Sequence, residues 1–211
     1  KRTKRMGCLG VLAAVLAAQW LPVTLAEAAE PARRIVSLNL CIDPIVLDLV
    51  PRERIQALSW VSSDPNVSPI VDRIAGIRLV RGTAEEVLAL EPDLVLAGAY
   101  TTPATVDLLR RLGRRVEVIP MAASIEDIRT VIRAVAAAVA EPERGESMVA
   151  EFDRRLGEAK PSGSHRRPAA IVYEANSIVS PPGSMEAAAL DAAGFDNAAE
   201  RMDVRPGGRM E

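Results

Sequence analysis

The chain has 211 residues, 49% of them hydrophobic and 26% charged, with a formal net charge of -2 at pH 7. So high an apolar fraction with so little net charge excludes a disordered chain, and the length is ample for a hydrophobic core. The 26 basic residues are outnumbered by 28 acidic ones, so no nucleic-acid partner is expected.

Lys1, Arg2, Lys4 and Arg5 open the sequence, and an apolar run from Cys8 to Ala18 follows. Pro22 breaks the run, and Ala26-Glu27-Ala28 places small residues where a signal peptidase reads them. Residues 1–28 therefore read as a cleavable secretory signal peptide; Pro22 and the small-residue exit weigh against an uncleaved anchor. The mature part is mildly acidic and keeps one cysteine, Cys41, so it is expected to form no intrachain disulfide.

Beyond the signal, short β-rich runs alternate with helical ones. Ile35–Leu38 reads as a strand, and Asp43-Pro44 as a helix start, with Asp43 as N-cap and Pro44 at the first helical position. Ile55–Trp60 is a second strand, followed by a loop from Val61 to Pro69. Thr83-Ala-Glu-Glu86 is a capping box in which Glu86 is expected to reach back to the N-cap. Pro92 ends that helix, and Asp93–Ala97 is a third strand. Thr102-Pro103 opens a helix that Gly113 closes, and Val116–Ile119 is a fourth strand. Ser124 caps a helix through Ile128 to Ala140, and Glu143–Lys160 is a long one. A polar linker, residues 161–168, precedes a strand at Ala169–Tyr173 and a helix at Ser184–Ala193. Strands separated by helices of this length indicate βαβ units and a parallel sheet. The expected organisation is an N-terminal α/β lobe over 33–141, a connecting helix over 142–160, and an incomplete second α/β lobe over 168–211.

Parallel sheets bind ligands outside the carboxyl ends of their strands. Trp60, Tyr100 and Tyr173 each fall at or just past such an end, and Asn39 follows the first strand. These four are the candidate ligand-binding residues, the rings suiting a large, partly apolar ligand. Arg78 or Arg81 could pair with an anionic one. No catalytic set is legible. The one histidine, His165, lies in the linker, and no nucleophile-elbow, dinucleotide or phosphate-loop motif follows a strand. Cys41 is expected to be a buried structural thiol, the alternative being an exported α/β enzyme using Cys41 with Asp43. One Cys and one His make no zinc site, so no metal or cofactor is expected to reside in the protein. Glu85, free of the capping task, should project into solvent beside its helix N-terminus.

Arg34-Ile-Val-Ser-Leu38, Ile55-Gln-Ala-Leu-Ser-Trp60 and the run from Gly82 to Ala97 containing Glu-Pro-Asp-Leu-Val resemble the cobalamin and iron-siderophore periplasmic binding proteins of ATP-binding-cassette importers. The likeness runs from Arg34 to about Asn197. It implies a two-lobed α/β fold with parallel sheets joined by a single long helix, and a ligand held between the lobes. It implies a periplasmic, monomeric, non-enzymatic protein whose partners are a metal-chelate ligand and an inner-membrane permease, the alternative to transport being a non-transporting, truncated binding lobe. The ligand is read as a corrinoid or a ferric siderophore, with a lean to the corrinoid because the cleft candidates are aromatic. By position in the motif, Glu85 matches a glutamate that docks onto permease arginines. A second such residue would be Glu211 or lie beyond it.

Overall fold

The computed structural model describes residues 30–160, 166–175, 178–202 and 208. The signal-peptide reading of 1–28, His165 and Glu211 lie outside the described residues. Five short runs, mostly of branched and small apolar residues, form one sheet: β1 (Ile35–Ser37), β2 (Ile55–Ser59), β3 (Arg78–Val80), β4 (Leu94–Gly98) and β5 (Val116–Ile119). The order is β3-β2-β1-β4-β5, and every neighbouring pair is parallel. A parallel sheet must be covered on both faces, which is why its strands read as nearly continuous hydrophobic runs.

Alternate residues supply the two cores. Ile35, Leu58, Leu94 and Leu96 face one side and pack with Val46 and Leu49 of α1 (Asp43–Leu49) and Val131 and Val135 of α4 (Ile125–Ala138). Val36, Ala57, Val95 and Ala97 face the other, against Val87 of α2 (Ala84–Leu88) and Val106 and Leu109 of α3 (Pro103–Arg111). Each fully buried Leu or Val contributes about 1.5–3 kcal/mol relative to its exposed state, so these two layers hold the lobe together.

Some helix starts follow their capping chemistry and others do not; Thr102, the N-cap of α3, accepts no amide through its side chain. Thr83 accepts the Glu86 amide and Ser124 the Asp127 amide, as their motifs require. Glu86 itself does not return to the N-cap; its carboxylate accepts the Arg81 amide at 2.8 Å, fixing the turn that enters α2. Asp43 is not an N-cap either. Ile42 holds that place, and Asp43 begins α1 with its side chain turned into the protein.

The long helix α5 (Pro142–Ala159) lies along α4. Its close approach rests on Gly145, where a Cβ would stand 2.4 Å from that of Ala136. Arg133 to Glu146 and Arg129 to Asp153, each at 2.7 Å, flank the contact from solvent-accessible positions, Arg129 half-buried and the others exposed or nearly so, and contribute little energy. After α5 the chain forms β6 (Ala169–Ala170), β7 (Tyr173–Glu174), β8 (Ile178–Val179), α6 (Met185–Ala192) and β9 (Asp196–Asn197). β6 pairs with β9 in parallel and β7 with β8 antiparallel, so the strand expected at Ala169–Tyr173 is divided between two small sheets.

Candidate functional site

The strand order reverses between β1 and β4, and a crevice opens at their carboxyl ends. The pairings define what stands along that edge. Ser37 lies beside Leu96, which brings Asn39 opposite Gly98; Gly98 in turn lies beside Ile119. On the other side, the Val36–Ala57 register sets Asn39 level with Trp60, and the Ser59–Val80 register sets Trp60 level with Arg81. Ile119, Gly98, Asn39, Trp60 and Arg81 thus form one row across all five strands.

Gly98 and Asn39 fit each other closely. A Cβ on Gly98 would fall 2.0 Å from Asn39 Nδ2 and 2.7 Å from its Cγ, so only a glycine lets the Asn39 side chain lie there. Asn39 Oδ1 then accepts the Cys41 amide at 2.8 Å, and its carbonyl accepts the Ile42 and Asp43 amides. This Asx turn carries the chain from β1 into α1 along the cleft wall.

The cleft encloses about 310 Å³ and is almost wholly apolar. Asn39, Cys41, Ile42, Tyr100 and Met121 line it from the sheet's edge, and Met185 of α6 closes it from the second lobe. Tyr100 is 82% exposed, so its ring is available to a ligand rather than spent on packing. Cys41 is exposed as well, contrary to the expectation of a buried thiol, because the Asx turn points this stretch outward from the sheet. Trp60 and Tyr173 do not line this cleft. Trp60 stands two strands from β4 and is 45% exposed, with the Arg81 guanidinium 4.8 Å from its ring centroid. Tyr173 sits in β7, 60% exposed. Arg78 begins β3, at the end of that strand away from the row.

Beneath the cleft wall Asp43 is fully buried. Its Oδ2 accepts the Ser59 amide at 3.0 Å and the Ser62 hydroxyl, tying the β1–α1 connection to the turn that presents Trp60. Oδ1 and the Ser37 hydroxyl are buried and make no hydrogen bond of good geometry. Burial pushes the Asp43 carboxyl up to about 6, against the opposing pull of the Ser37 and Ser62 hydroxyls and the Ser59 amide. With its carboxylate turned to Ser59 and Ser62, Asp43 is placed to brace the loops, not to serve the Cys41 thiol.

Glu85 lies in the first turn of α2, exposed, on the wall of an open groove of about 340 Å³ between the N-termini of α2 and α3. Arg81, Thr83, Thr102 and Thr105 line the same groove.

Residues 35–205 match the family model described as periplasmic binding protein. The chain belongs to that family. Among solved structures, the apo periplasmic haem-binding protein RhuT from Roseiflexus sp. RS-1 is similar, with 24% identity and a TM-score of 0.67 over 81% of this chain and 67% of that one. The vitamin B12-binding protein BtuF of Vibrio cholerae matches with 23% identity and a TM-score of 0.61, over 84% of this chain and 70% of that one. A periplasmic haem-binding protein from Pseudomonas aeruginosa matches with 20% identity and a TM-score of 0.64, over 85% and 66%. At these identities the likeness is one of fold, and the chain spans about two thirds of each structure's length. Among curated protein sequences there is no significant match.

In this periplasmic binding protein the cleft residues not expected from the sequence to face a ligand include Met121 and Met185, and Cys41, whose thiol is expected to be buried. Met121 could have been found, because Pro120-Met121 directly follow a strand end just as Tyr100 does. Met185 carried no signal: it reaches the cleft only because α6 packs near α4.

Proposed function

We propose that this chain is the periplasmic solute-binding component of an ATP-binding-cassette importer, and that its solute is a metal chelate of the haem, cobalamin or ferric-siderophore class. One observation carries the reading: an apolar cleft at the sheet's switch point, with Tyr100 and Met121 on one side and Met185 of the second lobe on the other. Asn39 supplies the polar contact there and Tyr100 the ring. Trp60 and Tyr173 contribute from the margins. Transport rather than catalysis is the task, the protein acts as an exported monomer, and the metal arrives and leaves with the cargo.

Titration of the mature protein with haem, cyanocobalamin and a ferric hydroxamate, followed by Trp60 fluorescence and chelate absorbance, tests this. Saturable one-to-one binding of one of them is expected. Binding of none would end the reading.

Glu85 is assigned to the permease. Its exposed carboxylate at the helix N-terminus would accept charge-assisted hydrogen bonds from an arginine of the partner. Glu85→Ala is expected to leave chelate affinity unchanged and to weaken permease docking by about 1.5–3 kcal/mol. Glu86→Ala should instead cost some stability at the start of α2 with little effect on docking, since its carboxylate holds the Arg81 amide. Pull-down of the permease by the two variants separates them; equal docking by Glu85→Ala and wild type would remove Glu85 from the interface.

A further inference from the structure

Asp43 joins two stretches of chain beside the cleft. It follows Asn39, Cys41 and Ile42 and precedes Ile45, all four of which line the cleft. Through the Ser59 amide and the Ser62 hydroxyl the same carboxyl grips the turn Trp60–Ser63. The groups acting on it are all neutral: Ser37 from β1, Ser59 from β2 and Ser62 from that turn. Charged side chains on the surrounding elements are engaged elsewhere. On α1, Asp48 pairs with Arg73; ahead of β2, Arg54 pairs with Glu141. Past the turn, Asp64 accepts the Asn66 amide, and Arg81 lies over the Trp60 ring. On α4, Arg129 pairs with Glu126 and Asp153, Arg133 with Glu146, and Asp127 accepts the Ala123 amide.

A fully buried carboxylate with no cation beside it costs stability, and a neutral amide could accept from the same two donors. What the charge adds is grip, since hydrogen bonds to an ionised acceptor are about twice as strong as neutral ones. A seat for a proton is also present. Oδ1 and the Ser37 hydroxyl are both buried and lack a partner among the described residues, so a proton on Oδ1 would be donated to Ser37 Oγ. Oδ2 would then be a neutral carbonyl oxygen and would hold Ser59 and Ser62 less firmly.

We infer that Asp43 is a positioning residue of the cleft wall. Its ionised carboxylate clamps the Asn39–Ile45 segment to the Trp60 turn, and a proton taken up between Oδ1 and the Ser37 hydroxyl slackens that clamp and weakens the hold on the chelate. The effect on the chelate rests on the transport reading; the clamp does not.

Trp60, the one tryptophan beyond residue 28, reports on the clamp in chelate-free mature protein. Its emission is expected to change with pH in one step, with a midpoint near that of the carboxyl, about 6. Asp43→Asn should flatten the curve. Ser37→Ala should move the midpoint up, because the Ser37 hydroxyl pulls it down. Circular dichroism checks the fold of both variants, and Ser37→Ala, which keeps the carboxyl, decides the matter should Asp43→Asn not fold. Affinity is then measured with haem, cyanocobalamin and a ferric hydroxamate in turn. From a pH of about 7.5 to about 5 the wild type should lose about five- to tenfold relative to Asp43→Asn, the difference between a charged and a neutral acceptor. Any pH effect on the chelate itself is shared by the variant. A flat Trp60 curve in the wild type, a wild-type step in Asp43→Asn or an unmoved midpoint in Ser37→Ala overturns the inference. So does an affinity that falls equally in wild type and Asp43→Asn. Binding of no chelate with the Trp60 step intact overturns the transport reading and leaves the clamp standing.

Discussion

Asp43→Asn is expected to stabilise the protein at neutral pH by up to about 3 kcal/mol, the linkage equivalent of a carboxyl held at about 6 rather than at its usual 3.8. The sign follows from where the proton is held. The native state binds Asp43's proton more tightly than the unfolded chain does, so this group's contribution is greatest in acid. It is lost as pH rises from about 4 through about 6, and is flat beyond. Asparagine is neutral throughout. Its oxygen can still accept from the Ser59 amide and the Ser62 hydroxyl, and its nitrogen can donate to the unpaired Ser37 hydroxyl. Urea unfolding over a pH series should therefore show the wild type and variant converging in acid and diverging toward neutrality. A variant less stable than wild type at neutral pH would mean that the bracing needs the charge itself. Asp43→Ala serves as contrast: it removes the brace between the Trp60 turn and the Asn39 turn and leaves the Ser59 amide and Ser62 hydroxyl without their acceptor.

That residue also shows where sequence reading reaches its limit. Asp43-Pro44 has the composition of a helix start, and a helix does start there. Whether the carboxylate caps its own helix or turns inward depends on Ser59 and Ser62, which only the tertiary fold brings near. N-cap signals hold where the acceptor and the amide are three residues apart, although the Glu86 carboxylate, equally local, goes to the Arg81 amide instead of the N-cap. Thr83, Ser124 and Ser184 each accept an amide three residues on. Strands β1, β2, β4 and β5 were legible because apolar runs bounded by turn residues are what a doubly covered sheet demands. β3 was not: three residues beginning with an exposed Arg78 at the sheet's edge carry too little pattern. The candidate site divides in the same way. The rule that ligands sit at strand ends finds Asn39 and Tyr100. It also selects Trp60, which the strand order places beyond β1, and it has no means of finding Met185, which arrives from the second lobe.

Gly98 is the position where one added carbon should cost most at the cleft. Its backbone needs no special conformation, and the last residue of β4 could be alanine on dihedral grounds. Space is the constraint. The Asn39 side chain lies where a Cβ would go, and the overlap extends from Nδ2 at 2.0 Å to Cβ at 3.1 Å, so a rotation of the amide alone does not relieve it. Gly98→Ala must push Asn39 aside, break its hold on the Cys41 amide and loosen the turn that forms the cleft wall. The expected loss of stability is about 1–3 kcal/mol, the range for overpacking, and Gly98→Val should reach the upper end. Chelate affinity should fall with it, because Asn39 and Cys41 line the cleft. The cause can be isolated with a double-mutant cycle. Asn39→Gly removes the obstructing side chain, so Gly98→Ala made in that background should cost little further stability, giving a coupling of about 1 kcal/mol or more between the two sites. Additive effects would show that the two residues do not contend for the same space, and that the cleft wall owes its shape to something other than this contact.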